Sequence, residues 1–476
     1  MHILSLHFGH DGAFSISKGN KLLQHCQLDR FNRIKHQSHL SGNLLYYLRS
    51  LNIKFSFVLL NDLNNGYETI DVFNYERILK NFNLIDNNTN ILRFDQKHNR
   101  KHHIYHAYCS RLFHGDNKHY AVLDGGGVMQ DHTGEYERET IFDENFHKIK
   151  ETTMRIGCRY GTITGDLFQT TYEQGWHLCG KTMALSQYGK NFIKNLDDVK
   201  LSEDKNNRKC QDFLYSLQKQ TEEDILSIMP KENINYSGGV AQNILANSKF
   251  LKYKNFNIDP LCTDSGISLG VLNYFLKGTL EKLNTVYLGP KPNYQQISIF
   301  KDFDIIDSNE NKVAQILKDN PVALFQGGSE QGQRGLGNRS LLINCFNKDA
   351  IEKINKIKNR EWYRPFSPSV IDEEANSFFD MQGKKSPHMM YAFQTKINLP
   401  NVSAIDGSSR VQTVAKKYNV NYYNLLKASD GILLNTSLNF PGQVLVENLY
   451  DLKYMLDYSP LKYAWLPDIN KLIIKK

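Results

Sequence analysis

The 476-residue sequence predicts an α/β fold built in two units. Short apolar runs of strand length alternate with stretches of helical spacing along the chain. Several of those runs end in glycine-rich turns. At 286–300, "VYLGPKPNYQQISIF" combines proline and glycine with a loss of periodicity, the mark of a boundary. The length also exceeds the size at which single hydrophobic cores stop growing. The two units expected are 1–287 and 288–476.

The N-terminal unit opens with strand, turn and strand in "ILSLHFG", "HDGAFSIS" and "NKLLQHC". A glycine-punctuated strand end follows at "HYAVLDGGGV", 119–128. The polar, charge-mixed stretch 191–232 has helical spacing in "DFLYSLQKQTEEDILSIM" and is expected to be a helix on an exposed connector. A glycine loop opens a helix in "INYSGGVAQNILANSKF", 234–250, and an acidic turn follows in "PLCTDSGISLGVLNYFL", 260–276. Beyond the boundary, strands are expected at "PVALFQ" and "GILLNTS", with helices at "KVAQILKD" and "DAIEKINKIKN". The sequence shows neither an internal repeat nor a low-complexity tail.

Composition narrows the classes of function. With 40% hydrophobic, 23% charged and 12% aromatic residues, the chain is of ordinary globular make-up. No window approaches the roughly 18 apolar residues that a membrane helix needs. The start, "MHILSLHFGHDG", has no basic leader and no small-residue cleavage site, and reads as a buried strand. The seven cysteines are scattered singly with no C-x-x-C. That pattern argues for a reducing compartment, the cytoplasm, and against disulfides or structural zinc. A net charge of +8 fits an anionic ligand or nucleic acid, and equally fits a solvated lysine-rich surface.

Three glycine loops bear on chemistry. "GHDG", "DGGG" and "GGVAQN" expose backbone N–H groups where no Cβ blocks a phosphate. Gly125, Gly126, Gly127, Gly238, Gly239 and Asn243 are the candidate nucleotide contacts. Each loop alone is also a plain turn, but three in order, two beside acids, look like an actin-like nucleotide fold. His102 and His106, at i and i+4, share a helix face, while His103 points elsewhere. Joined by Asp124 and Asp264, they would suit a first-row divalent ion. Alone, the pair fits a surface helix as well.

The C-terminal unit carries another pattern. Arg334 and Arg339 lie among glycines in "GGSEQGQRGLGNRSLL". Lys358, Arg360 and Arg364 cluster in "KNREWYRPFSPSV", Arg410 sits in "DGSSRVQTV", and Asn435, Thr436, Ser437 and Asn439 in "LLNTSLNFPG". Arginine offers bidentate recognition of phosphate or carboxylate, and Ser and Asn fill the remaining positions. Together they make a candidate pocket for a small phosphorylated anion.

In order and number these motifs resemble the O-carbamoyltransferase family of nodulation protein U and the cephalosporin and tobramycin carbamoyltransferases. The matching segments run almost end to end, from "HFGHDGAFS", "DRFNRIKH", "HHIYHA" and "VLDGGG", through "GKTMALSQYG", "GGVAQN" and "CTDSGISLG", to "RGLGNRS", "NREWYRPFSPSV", "SPHMMYAF", "DGSSRVQTV" and "LLNTSLNFPG". The N-terminal half also resembles the tRNA threonylcarbamoyladenosine transferase subunit. The resemblance implies an actin-like transfer domain followed by an α/β domain like threonylcarbamoyl-adenylate synthase. It implies that carbamoyl phosphate and ATP with Mg²⁺ yield a carbamoyl adenylate, and that a metal, iron first, assists transfer to a hydroxyl. His102, His106, Asp124 and Asp264 would be its ligands. Lys358, Arg360, Arg410, Asn435 and Ser437 would bind the carbamoyl phosphate or adenylate. His10, beside Asp11 in the first glycine turn, is a candidate general base.

Three departures stand out. Ala404 occupies a position where relatives have histidine, Gln333 replaces a proline, and "ALSQYG" replaces "GLAPYG". The motifs leave the acceptor open. Some members resembling this chain act on 5-hydroxymethylcytosine in DNA, and the +8 balance fits that option. A sugar or antibiotic hydroxyl is the alternative, ahead of a sugar kinase or a non-catalytic binding module.

Overall fold

The computed structural model describes residues 1–62, 72–94, 101–127, 136–332 and 334–476. Gln333 therefore lies outside the described residues. β1 (His2–Phe8), β2 (Ala13–Lys18), β3 (Lys21–Gln27), β4 (Phe57–Asp62) and β5 (Asn90–Arg93) form one sheet in the order β3-β2-β1-β4-β5. β1 is antiparallel to β2 and parallel to β4, and every residue after His2 in it is buried. A central strand covered on both faces carries such a run.

β6 (His119–Leu123), β7 (Glu139–Asp143), β8 (Lys148–Thr152), β9 (Ile234–Ser237) and β10 (Phe256–Ile258) form a second sheet, ordered β10-β9-β6-β7-β8. Read from β8, it repeats the first sheet. A three-strand antiparallel meander pairs through its first strand, in parallel, with a fourth and then a fifth. This duplicated topology is the actin-like fold. It corrects the absence of an internal repeat: repetition exists in strand order, where side chains leave no periodic trace.

The rest of the chain builds a larger sheet from β11 (Asp304–Asp307), β12 (Val322–Phe325), β13 (Arg339–Ile343) and β14 (Ser367–Ile371) with four later strands. A short pair, β15 (Phe393–Gln394) and β16 (Ser408–Ser409), stands apart. β17 (Gln412–Val414), β18 (Ile432–Ser437), β19 (Tyr463–Leu466) and β20 (Lys471–Ile474) complete the order β11-β20-β19-β12-β13-β18-β14-β17. The fold class expected from the sequence is the one observed. The helix expected after the glycine loop in 234–250 is broken instead into 3₁₀ turns and the short helix Ile244–Asn247.

One expectation is overturned. The helix Arg208–Ile228 is not an exposed connector, because half of its residues are buried. It packs on the helices Ile156–Phe168 and Tyr172–Ser186. Its polar residues carry structural bonds: Asp212 Oδ1 accepts from the Lys190 and Asn191 amides, and Gln218 pairs with Asn243. Polarity there signals internal hydrogen bonding, which burial demands.

The halves are not loosely hinged. A single apolar core runs from Leu123, Tyr236 and Phe256 to Phe325, Leu434 and Ile473. Arg33 donates to the Leu445 and Val444 carbonyls at 2.7 and 3.2 Å and pairs with Asp451. The 27–33 segment is thus fastened to the C-terminal half.

The helix His102–His114 lies against the helix Ile267–Phe275. At Gly270 a Cβ would stand 2.0 Å from the Tyr105 carbonyl oxygen. Only glycine permits that approach, which brings the two helices together. Gly270→Ala is expected to cost about 1–3 kcal/mol, the usual penalty of overpacking, read as a lower urea midpoint.

Candidate active site

Asp124 follows β6, Gly238 and Gly239 follow β9, and Asp264 lies in the turn after β10. These three strands are parallel, and α/β sheets open for ligands beyond the carboxyl ends of such strands. The 102–114 helix adds two imidazoles from behind. His102 Nε2 lies 3.2 Å from Asp124 Oδ2 and 3.5 Å from Asp264 Oδ1. His106 Nε2 lies 3.7 and 3.4 Å from the same oxygens, and 3.2 Å from His102 Nε2. One ligand atom from each residue falls within 4.8 Å of the others.

Both rings are fully buried, while the carboxylates keep 12 and 15 % exposure. The acids therefore form the open edge of the group. Burial opposes charge on either ring, yet the carboxylates lift His102 to about 10 and raise His106 too. Against the same burial, the rings hold Asp124 and Asp264 well below the usual carboxylate range. Two nitrogens and two oxygens facing one point suit a first-row divalent ion, which would take the place of ring protons. His103 turns away to bond Thr140 Oγ1 at 2.8 Å.

The glycine loops serve this group before any nucleotide. The amides of Gly125 and Gly239 donate to Asp124 Oδ1 at 2.8 and 3.0 Å, leaving Oδ2 for the rings. A Cβ at Gly239 would sit 2.9 Å from that oxygen. Gly126 lines the cavity, and so does Asn243, whose Oδ1 accepts from the Ala246 amide and from Gln218 Nε2. Gly127 and Gly238 are corrections. Neither lines the cavity. A Cβ at Gly127 would meet the His103 ring, and one at Gly238, with φ +90°, would meet the Leu123 carbonyl. Those two glycines are required by close packing.

One cavity of about 600 Å³ joins Asp124 and Asp264 to a cationic wall. Arg334, Lys358, Arg360, Arg364 and Arg410 line it, with Asn435 and Ser437. Burial and neighbouring arginines lower Arg334 to about 10 and Arg360 to about 9, and take Arg410 well below the usual guanidinium range. Glu361 is the carboxylate among them, bonded by Arg364 at 2.9 Å. Cations forced together in this way call for an anion. Arg334 Nε is buried with no partner among the described residues, and Arg410 Nε donates to Ser367 Oγ at 3.0 Å.

Lys358 and Arg339 differ from that group. The Lys358 ammonium donates to the carbonyls of Ser437 and Asn439, both at 2.7 Å, and to Asn439 Oδ1, so it anchors the loop after β18. Arg339 is a correction. Its guanidinium is wholly buried, donates to the carbonyls of Gln326, Gly327, Asn338 and Glu447, and does not line the cavity.

His10 and Asp11 line the other side of the cavity. Asp11, with φ 56°, accepts from His36 Nδ1 at 2.5 Å and lies 3.6 Å from His10 Nδ1. Despite burial, His10 and His36 lower its carboxyl to about 2. His36, His177 and Lys35 also line the cavity but were not singled out from the sequence. His36 falls in the quoted segment "DRFNRIKH". Nothing in local spacing marks His177, which joins the cavity from the 172–186 helix.

Two outcomes test the cationic wall. Arg410→Ala is expected to weaken pyrophosphate binding by roughly ten- to a hundredfold in calorimetry, the worth of a charge-assisted hydrogen bond. Lys358→Met is expected to lower unfolding stability by about 1–3 kcal/mol without any anion, because buried carbonyls lose their donor.

Residues 313–475 match the family described as "Carbamoyltransferase C-terminus". An uncharacterized protein of Methanocaldococcus jannaschii is 29% identical, the alignment covering 82% of this chain and 78% of that protein. Nodulation protein NolNO of Sinorhizobium fredii is 26% identical over 93% of this chain and 76% of its own. A 3'-hydroxymethylcephem-O-carbamoyltransferase of Streptomyces clavuligerus is 28% identical over 45% of this chain and 44% of its own. Among the described residues, no helix is long and apolar enough to cross a membrane. The cationic wall falls within this matched region: Arg334, Lys358, Arg360, Arg364 and Arg410 all lie between residues 313 and 475.

Proposed function

We propose that the protein releases phosphate from carbamoyl phosphate, joins the resulting carbamate to the α-phosphate of ATP as carbamoyl adenylate with loss of pyrophosphate, and then transfers the carbamoyl group to the hydroxymethyl of 5-hydroxymethylcytosine in DNA, releasing AMP. The observation that carries this reading is the single cavity, with five cationic side chains on one wall and a carboxylate–imidazole group on the other. Carbamate is a poor electrophile, and adenylation supplies a leaving group. Arg334, Arg360, Arg364 and Arg410 would hold phosphate oxygens while Asn435 and Ser437 shape the pocket. Both half-reactions then share one cavity, which shortens the path of a labile intermediate from one wall to the other.

A divalent ion held by His102, His106, Asp124 and Asp264, with iron the first candidate, would supply Lewis acidity at the acceptor hydroxyl or the carbonyl. The carboxylates face the cavity and the rings close the back. ATP would enter with Mg²⁺. The +8 charge supports an acceptor carried on a phosphate backbone, from which a base would be flipped into the cavity. The cephem-hydroxymethyl relative favours a second reading, a small-molecule hydroxyl.

The purified chain with ATP, carbamoyl phosphate, Mg²⁺ and Fe²⁺ is expected to add one carbamoyl group to hydroxymethylcytosine nucleosides and release AMP. Mass spectrometry of digested DNA reads the product. Carbamoylation of a sugar but not of DNA would overturn the DNA acceptor. His106→Ala is expected to lower transfer by roughly a hundredfold or more while pyrophosphate release continues. Equal transfer by the variant and the parent protein would remove the ion from this site.

A further inference from the structure

The cavity holds a second convergence of ligating side chains. His10 comes from the turn after β1, His36 from the loop after the helix Asp29–Asn32, and His177 from the helix Tyr172–Ser186. One nitrogen from each ring lies within 4.8 Å of the others. His10 Nε2 is 3.2 Å from His177 Nδ1, the same separation as between His102 Nε2 and His106 Nε2.

The far side of the cluster is also organised. Asp11 Oδ1 takes the Nδ1–H of His36 at 2.5 Å, and its Oδ2 lies 3.6 Å from His10 Nδ1. A carboxylate behind an imidazole fixes the tautomer of a metal-bound histidine, leaving the lone pair on Nε2. His36 Nε2 is buried and has no partner among the described residues. A purely structural cluster leaves that nitrogen unsatisfied at a desolvation cost. The His177 ring lies nearly parallel to both others, 3.4 Å and 14° from His36 and 4.6 Å and 9° from His10. Reaching a common ion requires His177 to turn about χ2, a torsion with broad wells.

We propose that His10, His36 and His177 form a second metal site, oriented by Asp11, that takes zinc or another imidazole-preferring divalent ion and keeps its fourth position open to the cavity. Three histidines with one open position make a catalytic rather than a structural zinc set. His10 then acts as a ligand, and the acceptor hydroxyl is the group that meets the open position. That role rests on the carbamoyl-transfer reading, whereas ion binding does not.

The test titrates the full chain, stripped by chelator, with Zn²⁺ and with Co²⁺. Two ions per chain are expected. His106→Ala should keep one ion with the Co²⁺ spectrum of a three-imidazole site, and His177→Gln should keep one ion with the different spectrum of the two-imidazole, two-carboxylate site. Asp11→Asn should weaken the second site by roughly 10–100-fold, the effect of losing an outer-shell partner. If His177→Gln unfolds by circular dichroism, His36→Gln makes the same distinction. The same number of ions in both His177→Gln and His36→Gln as in the parent protein overturns the site. Failure of carbamoyl transfer would appear in the product assay and leave the stoichiometry unchanged.

Discussion

The structure depends on placing two carboxylates and two imidazoles together away from water. Any one of them buried alone would cost several kcal/mol. Grouped, the rings and acids neutralise one another, and the arrangement is tolerated only if all four arrive together. That condition explains the close packing around it. Gly270 lets one helix rest on the Tyr105 carbonyl of another. The Gly125 and Gly239 amides grip one Asp124 oxygen so that the other faces the rings.

The cavity has walls of opposite character, and the fold keeps them apart. Asp124 and Asp264 stand on one side, and arginines that depress one another's acidity range stand on the other. Such walls would collapse or drift if the halves moved independently. The shared core from Leu123 to Ile473 and the bonds of Arg33 to the 444–445 carbonyls resist that. The same rigidity holds residues about three hundred positions apart at hydrogen-bonding distance, as with the Gln27 amide and Gln331 Oε1 at 2.9 Å.

Part of the site was legible because the information was local. An i, i+4 pair on a helix and acids at strand ends are properties of short segments, and His102, His106, Asp124 and Asp264 do converge. The arginines of the 334–410 segments were legible as chemistry, since several cations with few acids nearby rarely lack an anion. Arg339 shows the limit of that reasoning: a guanidinium can equally satisfy four main-chain carbonyls. The helix Arg208–Ile228 shows another. Its Asp212, Ser216 and Gln218 read as solvent-facing, but they are buried with specific partners.

Residue order and spacing settle the alternation of strands and helices, the glycine turns, and the types of side chain available for binding metal and anion. They settle these because each depends on neighbours within a few positions. Which glycine amides meet Asp124, which arginine lines the cavity and which is locked in the core, and the meeting of His10, His36 and His177 are decided only in three dimensions. Those relations follow from strand register and helix packing across the whole chain, and a side chain's partner there bears no fixed distance along the sequence.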